Sequence, residues 1–383
     1  MDASNLKIAL FSGNYNYVKD GANQALNKLV AFLESKGASV RVYSPTSDTP
    51  AFEPAGTLVS IPSFPIPGRK EYRMAFGLPK AITDDLDAFA PNIVHISSPD
   101  MAAQKAVKYA RRRKIPVVAS VHTRFETYLS YYHLGWLEGW VTRNIAKLYN
   151  RCDEIFIPTP CMMESLGPSG VSVPMRTWTR GIDLELYSPL KRDEEWRASH
   201  GIMPDDCVIS FVGRIVLEKG LDVFIETCKK LTATGKKFKV LIVGDGPKRD
   251  WFQSQLPEAI FLGFQGGEDL ARAYASSDIF FNPSRTETFG NVTLEAMASG
   301  VPQVCAYASG SKFLVKDEET GFLAPNCTAD EYAEKITLLI EDKNLRQDMS
   351  TKSLIRSKSF HWDAVLGQVI DHYQNLLIEK SQV

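Results

Sequence analysis

"DIFFNPSRTETFGNVTLEAMASGVPQVCAY", residues 278–307, decides the fold. It opens on a short apolar run, "DIFFNPS" (278–284), which reads as a buried strand. A polar turn, "SRTETFG", leaves that strand. Asn291 to Ser299 then reads as a short helix, stopped by Gly300 and Pro302. "PQVCAY" (302–307) is a second buried run. Strand, turn, helix and strand in this order make a βαβ unit, and βαβ units build parallel sheets.

The same rhythm extends in both directions. "LKIALFSG" (6–13), "ASVRVYS" (38–44), "PNIVHISS" (91–98), "IPVVASVHT" (115–123) and "CDEIFIPT" (152–159) read as buried strands, as do "CVISFVGR" (207–214), "FKVLIVGDG" (238–246) and "AIFLGF" (259–264). Helical spacing lies between them. In "NQALNKLVAFLESKG" (23–37), Leu26, Leu29, Val30 and Leu33 share one face, and Gly37 stops the helix. After residue 184 a polar, charged stretch breaks the rhythm. The division expected is therefore an N-terminal domain over 1–184, a linker over 185–206 and a second domain over 207–358. An amphipathic helix follows over 359–383, with Trp362, Val365, Leu366, Val369, Tyr373 and Leu376 on its apolar face. It can pack on either domain, including back on the first. Two doubly wound α/β domains in tandem would present the carboxyl ends of two sheets, where ligands bind, to one cleft.

The 383 residues suit two cores rather than one. A formal net charge of −1 argues against nucleic acid held by bulk positive charge. The six cysteines are scattered with no C-x-x-C, so no zinc site or disulfide framework is expected, and a reducing cytosol fits. No run of about 18 apolar residues is present for a spanning helix, and no signal peptide is visible.

The candidate chemistry falls at strand ends. Glu287 would sit in the loop at the carboxyl end of its strand. The backbone N–H groups of Phe289, Gly290, Asn291 and Val292 open the next helix and make an anion site. Glu295 lies just over a turn inside, where a carboxylate can accept both hydrogen bonds of a ribose diol. The alternative is two solvated glutamates. At the end of "CVISFVGR", Gly213 is followed by Arg214 and, five residues on, Lys219. Two cations there suit a diphosphate, although Lys219 also reads as a solvated charge starting a helix. In "VGDGPKR", Gly246 permits close backbone approach to a ligand. No G-x-G-x-x-G fingerprint is present, which disfavours a dinucleotide and an NAD-dependent oxidoreductase. His122 and Arg180 also fall at strand ends. Each reads equally as an ordinary structural residue.

Taken together, "GRIVLEKG", "VGDGP", "LGF", "NPSRTETFGNVTLEAMASGVP" and "GFLAP" resemble the C-terminal domain of a retaining nucleotide-sugar glycosyltransferase of family four, with GT-B architecture. "SVHT", "WTRGID" and "FHWDAVLGQVIDHY" extend the resemblance over nearly the whole chain, and it is nearest to the branch of sulfoquinovosyl-diacylglycerol synthases and bacterial glycolipid mannosyltransferases. The resemblance implies transfer of a hexosyl group from a UDP- or GDP-sugar, with no cofactor and no metal. It implies that Glu295 binds the nucleotide ribose and Glu287 faces the donor sugar. It gives the amides of Phe289 to Val292 to sugar hydroxyls and phosphate, and Arg214 and Lys219 to the diphosphate. It places His122 near the sugar's C6 group and the nucleobase near the loop after Phe264; Arg180, read from its place after a strand, can reach toward the cleft. Many members carry two glycines after the first strand; here the pair is Asp20-Gly21. Gly21 can keep the backbone contact to the diphosphate, and Asp20 is available to cap the helix.

The acceptor implied is a lipid or a glycan. "FETYLSYYHLGWLEGWVTRNIAKLY" (125–149) is crowded with aromatics and reads either as a core helix or as a face touching a membrane. "RRRK" (111–114) reads either as a solvated helix end or as a patch for anionic lipid. The location expected is cytoplasmic, peripheral to the inner face of the membrane. An epimerase, a phosphorylase and a non-catalytic sugar-nucleotide-binding protein are the competing readings.

Overall fold

A computed structural model of the chain describes residues 2–18, 21–66, 69–121, 135–287 and 289–382. It divides into two compact units, Met1–Thr179 with Asp363–Val383, and Arg180–Trp362.

The first unit is built on a seven-stranded parallel sheet in the order β3-β2-β1-β6-β7-β8-β9. Its strands are β1 Lys7–Phe11, β2 Ser39–Ser44, β3 Thr57–Ser60, β6 Ile93–Ile96, β7 Val117–Ser120, β8 Glu154–Ile157 and β9 Met175–Thr177. A separate antiparallel pair, β4 Ser63–Ile66 and β5 Arg69–Ala75, stands between β3 and β6 in the chain. The central strands are buried on both faces, which is why they read as continuous apolar runs rather than alternating ones. The C-terminal helix Trp362–Ser381 buries Val365, Leu366, Val369, Tyr373 and Leu376. Within the first unit, Tyr373 Oη meets Nδ1 of the fully buried His95 on β6 at 2.6 Å, and Lys380 pairs with Asp153 at 2.8 Å.

The second unit carries a six-stranded parallel sheet in the order β12-β11-β10-β13-β14-β15. The strands are β10 Val208–Val212, β11 Lys239–Val243, β12 Ile260–Gly263, β13 Ile279–Asn282, β14 Gln303–Ala306 and β15 Gly321–Ala324. The order reverses between β10 and β13, so these strands flank the topological switch point of a doubly wound sheet.

The stretch 185–206 is not a linker. It folds into the second unit around Arg197, which is fully buried. The Arg197 guanidinium donates to the carbonyls of Ser276 (2.7 Å) and Asp206 (2.8 Å) and pairs with Asp278. Asp278 in turn accepts from the Val208 amide at 2.8 Å. A buried charge needs partners of this kind, and the bonds of its two terminal nitrogens tie the segment to the amino ends of β10 and β13. The strands read from the sequence are all present, with shorter ends.

Candidate functional site

The loop leaving β10 is shaped by backbone crowding. A Cβ on Gly244 would lie 1.9 Å from the Gly213 carbonyl oxygen, and one on Gly246 would lie 2.4 Å from that of Ile215. The glycine at 246 is thus demanded by the neighbouring strand exit. The Ile215 amide donates to the Asp245 carbonyl at 2.9 Å. A short 3-10 turn, Leu217–Lys219, then ends on Gly220 at φ 73°, and a Cβ there would meet the Pro283 carbonyl at 2.9 Å. This left-handed glycine presses the β10 exit against the β13 exit.

That contact brings two of the expected site residues together. Lys219 Nζ lies 2.6 Å from Glu287 Oε1. Thr286 Oγ1 also donates to the Glu218 carbonyl at 3.4 Å. Arg214 is exposed.

Glu287 is held from the other side as well. The Gly310 amide donates to the Glu287 carbonyl at 3.0 Å, and a Cβ on Gly310 would stand 2.3 Å from the Phe289 carbonyl oxygen. The Phe289 ring is buried with Phe313 and Phe360 at centroid distances of 6.2 and 6.3 Å. Its side chain is therefore an anchor, and the backbone is what it contributes to the loop. Gly290, at φ 92°, precedes the helix Asn291–Ala298. Thr293 and Leu294 amides both return to the Gly290 carbonyl (2.9 and 3.1 Å). The amides of Phe289 to Val292 precede these bonds, where a helix start offers no partner of its own.

Glu295 is partly exposed, and its carboxylate accepts from Tyr274 Oη at 2.9 Å. The Tyr187 phenol lies close enough to act on its charge. Burial pushes the Glu295 carboxyl up to about 7, and the two phenols oppose that rise. Neither tyrosine announces a site in the sequence. Tyr274 reads as one more apolar position of a helix, and Tyr187 lies in the stretch that reads as a linker.

The remaining candidates are more scattered. Phe264, at the exit of the edge strand β12, is 77% exposed. Arg180 is buried within the second unit. The glycine after it is fixed by packing, since a Cβ on Gly181 would meet the Trp362 ring at 2.3 Å. Gly21 is the first residue of the helix Gly21–Ser35 in the first unit. His122 and Asp20 lie outside the described residues. Residues 125–134 of the aromatic stretch do too; of its described part, Tyr149 is buried, while Trp136 and Trp140 are 78% and 62% exposed. In "RRRK", Arg111 pairs with Asp153 and Arg113 with Asp87, so half of that run is engaged in intramolecular ion pairs. Among the described residues, no group of three or more His, Cys, Asp or Glu is placed to hold a metal ion, and no helix is long and apolar enough to cross a membrane.

Two family models match the chain. "Glycosyltransferase Family 4" matches residues 19–186, and "Glycosyl transferases group 1" matches residues 192–354. The sulfoquinovosyl transferase SQD2 of Arabidopsis thaliana is 28% identical over 95% of this chain and 72% of its own length. A GDP-mannose-dependent alpha-mannosyltransferase of Corynebacterium glutamicum is 27% identical over 99% of this chain and 91% of its own. The alpha-monoglucosyldiacylglycerol synthase of Streptococcus pneumoniae is 26% identical over 81% of this chain and 72% of its own. Among solved structures, Anabaena Alr3699/HepE in complex with UDP superposes with a TM-score of 0.75 at 19% identity, covering 97% of this chain and 100% of that one. With two parallel doubly wound units, matched family models over both and relatives along nearly its full length, the chain belongs to the family-four glycosyltransferases and has the GT-B fold.

Proposed function

We propose that this chain moves a hexosyl group from a UDP- or GDP-sugar to an acceptor hydroxyl, with retention at the anomeric carbon and without a metal ion. The observation that supports this most is the Lys219–Glu287 pair at the switch point, beside the open start of the Asn291–Ala298 helix. The bond that breaks joins the sugar's anomeric carbon to the diphosphate, so negative charge grows on the leaving group. Arg214, Lys219 and the amides of Phe289 to Val292 are the groups assigned to that charge. A preorganised donor of this kind is worth roughly 2.7–4 kcal/mol in comparable sites. Glu287 is assigned to orienting the sugar, Glu295 to the nucleotide ribose and Phe264 to the base. Gly21 and His122 are the first unit's assigned contacts. Same-face attack, with a donor phosphate oxygen accepting the acceptor's proton, balances the reaction without a protein nucleophile.

The solved complex of the Anabaena protein contains UDP, and the corynebacterial relative is named for GDP-mannose. Both bases therefore belong in the test. A lipid acceptor is favoured by the pneumococcal relative, whose name includes diacylglycerol, and by the exposed Trp136 and Trp140. Exposed indoles of this kind suit a headgroup layer, which supports a reading in which the enzyme works at a membrane surface.

The test is slow donor hydrolysis by purified protein, without acceptor, across UDP- and GDP-sugars. Release of one sugar well above background supports the assignment and names the donor. Silence across the panel, together with no nucleotide binding by calorimetry, overturns it. Turnover abolished by a chelator and restored by magnesium or manganese overturns the metal-free mechanism.

A further inference from the structure

Glu295 is the acid whose surroundings are most unusual. The interactions acting on its carboxyl come from two phenols, and no lysine or arginine is among them. Lys219 is committed to Glu287 instead. Tyr274 is fully buried on the helix Gly267–Ala275, its ring edge-on to Phe280 at 5.9 Å. Tyr187 comes from a different segment. A turn in which Asp183 Oδ1 accepts from the Glu185 and Leu186 amides, both at 3.0 Å, presents it. The two rings meet edge-on at 6.0 Å, so each limits where the other can move.

The charges acting on the two phenols are acidic. Tyr274 feels Glu295 and Glu287, and Tyr187 feels Glu295 and Asp183. Both phenols are accordingly held above the ordinary tyrosine range, by burial first and these acids second. A phenol that cannot ionise beside a carboxylate acts as its donor. An ionised carboxylate offers about four acceptor sites. The Tyr274 hydroxyl fills one of them, at 2.9 Å.

We infer that Tyr274 is a positioning residue for donor recognition, with Tyr187 packed edge-on against its ring: the Tyr274 hydroxyl fixes the Glu295 carboxylate in one orientation and leaves acceptor sites for the vicinal hydroxyls of a nucleotide's ribose. The inference rests on the assignment of Glu295 to the ribose. It makes the segment 185–206, through Tyr187, part of the donor site.

The experiment measures affinity for UDP, GDP and their 2′-deoxy counterparts by calorimetry from pH 6 to 9. The proteins are the full chain and its Tyr187→Phe, Tyr274→Phe and Glu295→Gln variants. Removing a hydroxyl keeps the ring, and an unchanged melting temperature verifies that packing survives. Tyr274→Phe is expected to lose about tenfold in ribonucleotide affinity at pH 6.5 and about threefold at pH 8.5, because one donor fewer leaves Glu295 harder to ionise. Tyr187→Phe, which keeps the ring packed on Tyr274, is expected to lose less. The preference of Tyr274→Phe for the ribonucleotide over the 2′-deoxy form should narrow. Equal weakening of this variant toward both forms at every pH would show that Tyr274 only packs, and would overturn the proposal. A wild-type protein indifferent to the 2′-hydroxyl, a Glu295→Gln variant that keeps the preference, or no binding of either base would instead remove the ribose assignment, and the proposal with it.

Discussion

Lys219 and Glu287 leave neighbouring strands of one sheet, 68 residues apart in sequence, and their charged ends meet at 2.6 Å. The pair joins the group assigned to the diphosphate to the group assigned to the sugar. A donor bound there would have both ends of this pair as immediate neighbours. Lys219→Ala is expected to lower kcat/KM by roughly 10²–10³, the range for a preorganised donor at developing charge. Glu287→Gln keeps an acceptor in place but loses the charge that orients Lys219, so turnover should fall with a smaller change in donor affinity. The double variant should lose less than the product of the two, because neighbours in one ion pair are not additive. Steady-state kinetics with the donor identified by the hydrolysis panel decide it; near wild-type turnover in Glu287→Gln removes the positioning role.

Gly310 is the backbone support of that acid. Its amide bonds the Glu287 carbonyl, and a Cβ would sit 2.3 Å from the Phe289 carbonyl oxygen. No flexible side chain is there to give way. Gly310→Ala should therefore displace residues 287–289, costing about 1–3 kcal/mol of stability and most nucleotide affinity. Gly139, in the helix Glu138–Tyr149, has nothing within 4 Å of such a Cβ. Gly139→Ala should raise stability by about 0.5–1 kcal/mol and leave affinity unchanged. Melting curves with and without nucleotide compare the two.

One base, His95, and one acid, Glu295, give opposite pH slopes. Burial pushes His95 down to about 3 from 6.5, so the folded first unit binds this proton less readily than the unfolded chain. Its contribution is present above about pH 6.5 and is lost as pH falls, by about 1.4 kcal/mol per unit. His95→Asn should flatten the slope below pH 6.5. Tyr373→Phe, which strips the partner from one ring nitrogen, should cost about 1–3 kcal/mol at neutral pH. Denaturant titrations from pH 5 to 8 read both.

Glu295 works the other way. Its folded value of about 7 lies above the ordinary 4.5, so the folded form holds the proton more tightly. Stability therefore declines as pH rises from about 4.5 to about 7. Glu295→Gln should be more stable than the wild type at pH 8 and equal to it near pH 4.5, while binding nucleotide less well. A destabilised Glu295→Gln at pH 8 would show that the carboxylate is not strained by burial.

Strands buried on both faces were legible because burial leaves a continuous apolar run, and β10 and β13 could be placed from "CVISFV" and "DIFFN" alone. The edge strands of the first unit, β3 and β9, were not. β9 has three residues, and β3 is half-exposed, so neither carries a run long enough to stand out. Glu287, Lys219 and Glu295 were legible as chemistry at strand ends. Tyr187, Tyr274, Gly310 and Arg197 were not, because each acquires its role from a residue far away in sequence. Arg197 shows this most sharply: a charged residue in a polar stretch reads as solvated until Ser276, Asp206 and Asp278 are seen around it.

Trp136 and Trp140 provide the last prediction. They lie on and just before the helix Glu138–Tyr149, which buries Ala146, Leu148 and Tyr149 at its other end. Because the two indoles face water, replacing both with Ala should change stability by no more than about 0.5 kcal/mol. If they rest in a headgroup layer, the double variant should lose most of its binding to anionic vesicles and raise KM for a lipid acceptor, with donor hydrolysis untouched. Arg111 and Arg113 are occupied by Asp153 and Asp87, so replacing Arg112 and Lys114 should have the smaller effect and should act mainly through salt dependence. Vesicle flotation at low and high salt separates the two contributions. Binding that survives loss of both tryptophans would move the membrane contact elsewhere, and no binding by the wild type at low salt would favour a soluble acceptor.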